Sequence, residues 1–142
     1  MTTERPAMRL RVEEALASIP RQDEHPRYTL YRLAAAYGVV RFGRLHPETK
    51  PPWRGMLIPL SPSTHVIYTR GTQSLNGQMT IAHEMGHILF KPQIEAALRE
   101  RKYPLQVLMA AEERLCEGFA RCLVATLRER WVSHWKGGPD DH

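Results

Sequence analysis

His83-Glu84-Met85-Gly86-His87 is the segment that most restricts how this chain can fold. Two histidines four residues apart lie one turn above each other when the segment is helical, and their imidazoles then point to one place. Glu84, about 100° around the axis from His83, stands beside that place rather than on it. Two imidazoles completed by a carboxylate, with one position left open, suit a single zinc ion better than other metals. The plainer reading is a pair of core histidines satisfied by hydrogen bonds. Against it, the five-residue pattern is expected by chance only roughly 0.03 times in a chain of this composition. The fold must then provide a buried back to this helix and a further ligand from another element.

A donor is available in AAEERLCEGFARCLVATL, where an apolar stripe runs through Met109, Cys116, Ala120, Val124 and Leu127. Glu113 and Glu117 fall within the stripe, and a carboxylate on a buried face needs a partner. Arg114 and Arg121 could supply one but are expected on the other side of the helix. The stripe therefore favours Glu113 as third ligand, with Glu112 at its edge as the alternative. Glu117, one turn on, is placed to accept a hydrogen bond from the N–H of a ligating histidine. Glu84 would be the general base toward water, the arrangement for which this spacing recurs in metalloproteases. An acyl-transfer oxyanion needs a further donor, for which His65, Tyr68 and Tyr103 are the candidates.

The rest of the chain divides around these two helices. Met8, Val12, Ala15, Leu16 and Ile19 have helical spacing ahead of Pro20, and Leu30, Leu33, Ala34 and Tyr37 do so ahead of Gly38, giving two amphipathic helices. Val39, Val40 and Phe42 suggest a short strand, and the three prolines of 46–53 make a loop. GMLIPL and HVIYT read as two more strands, the first near an edge because of Pro59. The histidine-bearing helix should start at Ser74 or Asn76 and stop before Pro92. A short exposed helix is expected before Pro104, and a long one over 105–131. The fold class is α+β: one mostly helical, zincin-like domain over 1–131, its small three-stranded sheet packed on the histidine-bearing helix, with 132–142 a flexible tail. Gly86 is expected to let another element approach that helix closely. Trp53, Trp131 and Trp135 read as packing or cover, and His25, His46, His134 and His142 as surface.

With 42% hydrophobic residues in 142, the chain can bury a core without disulfides. Cys116 and Cys122, six apart on a helix, cannot readily bridge and read as reduced packing residues. No run is long and apolar enough to cross a bilayer, and the N-terminal segment lacks the apolar centre of a signal peptide, so a cytoplasmic location without membrane contact is expected. The net charge of +5 is carried mostly by scattered arginines, so nucleic acid as a partner has weak support.

MTIAHEMGHILF followed by EERLCEGFARCL resembles the ImmA/IrrE family of zinc metallopeptidases, whose pattern is a T-L-A-H-E-x-G-H helix and a later E-x-x-A-[ND]-x-F-A helix. The resemblance covers about residues 28–127. It implies Glu113 as third ligand and Glu117 where the family more often has Asn or Asp; Cys116 replaces the usual alanine, and CLVATLRER replaces the usual Leu-Met-Pro ending. It also implies a protein substrate, a helix-turn-helix transcriptional repressor cleaved in a stress or mobile-element response. Two other readings stand beside it. One is a zinc-stabilised module that binds a regulator without cutting it; the other is a basic regulator whose helix pair over 8–37 touches DNA.

Overall fold

The computed structural model describes residues 4–46, 48 and 54–136. Most of the loop expected over 46–53 lies outside the described residues, as do Trp53, His142 and the side chain of Trp135. The elements run α1 (Glu4–Ala17), α2 (Pro26–Ala36), β1 (Val39–Arg44), β2 (Gly55–Ser61), β3 (Thr64–Thr69), α3 (Leu75–Glu100) and α4 (Leu105–Lys136). Among the described residues this is an α+β fold of four helices and a small mixed sheet. No helix among the described residues is long and apolar enough to cross a membrane.

α3 is the axis of the molecule and packs on α4, α2, β2 and β3. Its buried side is Ile81, Ala82, Met85 and Phe90, facing Cys116, Phe119, Ala120 and Leu123 of α4. Val12, Ala15 and Leu16 of α1 and Leu30, Leu33 and Ala34 of α2 close the same core at the spacings their sequence shows. α2 stops at Gly38, whose φ of +90° is a left-handed backbone that favours glycine. A Cβ there would also lie 2.1 Å from the Ser63 carbonyl oxygen. That close approach lets the Gly38 carbonyl accept from the His65 N–H (2.8 Å) and starts the pairing of β1 with β3.

Sheet order is β1-β3-β2, with β3 parallel to β1 and antiparallel to β2. Pro59 does sit on an edge strand, because a residue without an N–H is tolerated where that side of the strand has no partner. β3 is flanked on both sides, and its Val66 and Ile67 are buried.

Two helix ends differ from the sequence reading, and one start is decided between its two alternatives. α3 does not stop before Pro92 but continues to Glu100, absorbing the stretch expected to be a separate helix. An internal proline costs about 3 kcal/mol. Packing offsets it here, since Ile94, Ala96 and Ala97 remain half-buried and Leu108 of α4 is buried beyond the proline. The helix ends instead at Arg101, whose φ of 57° closes it just before Pro104. At its other end Ser74, not Asn76, is the cap, its hydroxyl accepting from the Gly77 N–H at 3.0 Å. α4 runs to Lys136, so 132–136, assigned to the tail from sequence, is helical. At that end Trp131 stacks on His134 and approaches His25, whose Nδ1 accepts from the Arg27 N–H and caps α2. His25 is therefore a half-buried capping residue rather than a surface one.

Candidate metal centre

Gly86 sets the distance between the two helices that carry the site. A Cβ on it would lie 3.0 Å from the Cys116 Cα and 3.1 Å from its Sγ, so α4 crosses α3 with almost no gap. Helix propensity alone would make Gly86→Ala stabilising by about 1 kcal/mol. The contact is with backbone, however, and cannot be relieved by a rotamer. Gly86→Val should therefore cost about 2 to 3 kcal/mol through overpacking, read from the urea midpoint, with Gly86→Ala close to neutral. The Cys116 thiol in this crossing is buried, and burial followed by the carboxylates of Glu112, Glu113, Glu84 and Glu117 pushes its pKa far up. It is an inert packing group, and both cysteines are unbridged.

The close crossing brings the histidines of α3 against the carboxylates of α4. The Glu113 oxygens face the two imidazoles: Oε1 lies 3.1 Å from His83 Nε2 and Oε2 lies 3.2 Å from His87 Nε2. The opposite nitrogens have their own partners. His83 Nδ1 is 3.3 Å from Glu117 Oε1, and His87 Nδ1 is 2.7 Å from Glu112 Oε2. A neutral imidazole carries one N–H. If each histidine donates it from Nδ1 to its glutamate, both Nε2 lone pairs and the Glu113 oxygens are left pointing at one another. Such a set repels itself unless protons or a cation lie between. Donor atoms sharing one tetrahedral zinc, with bonds of 2.0 to 2.2 Å, would stand about 3.3 Å apart. The two histidine–Glu113 spacings are close to that, and ligand atoms of His83 and His87 lie within 4.8 Å of each other, so the chemistry of these donors suits a divalent ion.

Glu84 joins the same cluster from the side, ligand atoms of His83, Glu84 and His87 all lying within 4.8 Å of one another. Its carboxylate rests against β2, where a Cβ on Gly55 would come 3.5 Å from Glu84 Oε2 and 2.3 Å from Thr80 Cγ2. Burial raises the pKa of Glu84; positive charge on His87 and His83 works the other way, and Glu113 adds to the rise.

Several details depart from expectation. Glu113 and Glu117 do not face the core: their side chains are 59% and 52% exposed, and Met109, placed in the same stripe, is 57% exposed. They stand where the helix surface turns from core to an open cleft, so position at a cleft wall, rather than burial, brings them to the histidines. Arg121 does not point away but reaches Glu117 at 3.4 Å. Glu112, considered as an alternative ligand, is instead the partner of His87 Nδ1.

The three oxyanion candidates are not at this cleft, whose lining includes Arg54, Gly55, Met56, Leu57, Asn76, Thr80 and Arg121 around the histidines and glutamates. His65 is buried at the far end of β3, opposite Pro59, its Nδ1 without a hydrogen-bond partner; burial, then Lys91, lowers its pKa. Tyr68 alternates with the core residue Ile67 and so faces the other side of the sheet, where its hydroxyl is 3.4 Å from Arg41 Nη2. Tyr103 is exposed in the turn between α3 and α4. β3 cannot accept a further strand, and among the described residues the strand with a free edge at the cleft is β2. Asn76 and Thr80 were legible, being seven and three residues before His83 on one helical face, as was Arg121 at the four-residue step from Glu113 and Glu117. Arg54 carried no such signal.

No protein-family model, curated protein or solved structure matches the chain.

Proposed function

We propose that the chain is a zinc-dependent endopeptidase with His83, His87 and Glu113 as ligands to one ion and Glu84 as general base. The observation that carries this is the convergence of both Nε2 atoms on the two oxygens of Glu113 while both Nδ1 atoms are held by other glutamates. Zinc in such a set supplies Lewis acidity toward water and the scissile carbonyl at neutral pH. The remaining chemistry belongs to the chain's own groups. Glu84, half-buried on α3 against Gly55, takes a proton from water and returns it to the leaving amine. Glu117 and Glu112 fix the tautomer and orientation of the imidazoles. The free edge of β2 along Gly55, Met56 and Leu57 pairs with an extended peptide through its backbone, giving affinity with little sequence choice. The resemblance to the ImmA/IrrE family extends the proposal to a helix-turn-helix repressor as the protein substrate, met in the cytoplasm.

Purified protein should hold about one zinc per chain, lose peptide cleavage on dialysis against a chelator and regain it with zinc. A chain that takes up no zinc from a micromolar solution would end this reading. Glu112→Ala should weaken zinc binding about 10- to 100-fold in competition with a chromogenic chelator, with Glu112→Gln recovering most of it because the amide oxygen still accepts from Nδ1. Equal affinity in all three forms would remove Glu112 from the centre.

A further inference from the structure

The cleft has two different ends. Along α4, Glu112 meets His87, Glu113 meets both histidines and Glu117 meets His83, so each step toward the C-terminus of α4 moves toward the N-terminus of α3. Arg121, one turn past Glu117, therefore lies beyond His83 on the side of Thr80 and Asn76. Arg54 comes to the same side, because the next residue, Gly55, is packed on Thr80. Both arginines line the cleft.

Neither is consumed by the fold. Arg54 is exposed and makes no hydrogen bond or ion pair among the described residues. The Arg121 side chain is 75% exposed, and its contact with Glu117 is long, at 3.4 Å. A guanidinium has five N–H donors in a planar fork, so most of them remain available. Other basic groups near helix surfaces are tied more closely, as Arg32 is to Glu24 and Arg130 to Glu13. At this end two guanidinium groups stand near the one carboxylate of Glu117, the other two carboxylates of the cleft, Glu84 and Glu113, being at the histidines.

We propose that this end of the cleft is a carboxylate-binding subsite, so that the peptidase inferred above selects a substrate with an acidic side chain, or its own terminal carboxylate, beside the scissile bond. The subsite rests on that reading for its use in catalysis, but its occupancy is measurable without cleavage. Arg54, immediately before the strand that pairs with the peptide, and Arg121, on the helix opposite, would grip the carboxylate from two sides with charge-assisted hydrogen bonds.

The test uses the full zinc-loaded chain carrying Glu84→Gln to prevent turnover, and fluorescein-labelled peptides of alanine and leucine with one central Glu or Gln. Each is made with a free and an amidated C-terminus. The Glu peptide, or the free-acid form if the terminal carboxylate is the ligand, should bind at least about tenfold more tightly than its neutral twin. The preference should fall to about one in Arg54→Gln/Arg121→Gln and shrink as salt is raised. Lysine at both positions should restore part of it. Equal binding of all peptides, or a preference unchanged in the double Gln variant, overturns the subsite. Cleavage of the same peptides by the parent chain separates the two ideas. Cutting of acidic and neutral peptides alike keeps the peptidase and removes the subsite, whereas an arginine-dependent binding preference without cutting keeps the subsite and removes the peptidase.

Discussion

Glu84→Gln should lower peptide cleavage about 10²- to 10⁴-fold while leaving zinc content unchanged. Glutamine preserves the volume that lies beside Thr80 against Gly55, so α3 and β2 keep their approach, and only the capacity to take a proton is lost. Glu84 stands 100° around the helix from His83, whereas both Nε2 atoms face Glu113, so removing its charge leaves the proposed ligand set complete. Zinc stoichiometry and steady-state cleavage measured on one preparation settle the matter. Cleavage within threefold of the parent would exclude Glu84 as the base. Loss of zinc would make Glu84 a ligand. The competing reading, a zinc-stabilised module that binds a regulator without cutting it, gives a different result: no cleavage by the parent, and partner binding equal in parent and variant.

The site was legible in sequence as far as helical geometry reaches. Four-residue spacing placed His83 over His87, and the same spacing related Glu113 to Glu117. Gly86 could be read as a close-approach position because a glycine inside a strongly apolar helix otherwise costs stability. Sequence reading failed where an answer depends on the order of elements in space. HVIYT has the composition of a strand whether it is central or at an edge, and only the parallel pairing with β1 across Gly38 puts it in the middle. Pro59 marked β2 as an edge, but nothing in the sequence said that this edge lies at the cleft. In the helix pair over 8–37, Arg9 pairs with Glu13 and Glu129 and Arg32 with Glu24, while the apolar faces of both helices enter the core. Burial was misjudged for Glu113 and Glu117 because a stripe read on a helical wheel has no depth. Residues on its margin face core or cleft with the same periodicity. Pro92 shows the converse limit, since a local helix breaker was outweighed by a long helical hairpin.

Glu113→Ala should lower zinc affinity by more than about 100-fold, beyond the 10- to 100-fold range for the glutamates that hold the imidazoles. The reason lies in what the substitution leaves behind. Glu112 and Glu117 still fix His87 and His83 through Nδ1, so the two Nε2 lone pairs keep converging, but the carboxylate that completes a three-ligand site is gone. Because Glu113 is more than half exposed, its removal makes no buried cavity, and the unfolding midpoint of the metal-free protein should move by less than about 1 kcal/mol. The effect on metal can therefore be separated from an effect on folding, which is not so for His83 or His87, packed beside the core of α3. Glu113→Gln should recover little, since a neutral amide replaces the anionic donor. Zinc competition and chelator-treated unfolding on the same variants give the two readouts. Full zinc affinity in Glu113→Ala would pass the third position to Glu112, and the 2.7 Å contact with His87 would then have to rearrange to release its oxygen toward the ion.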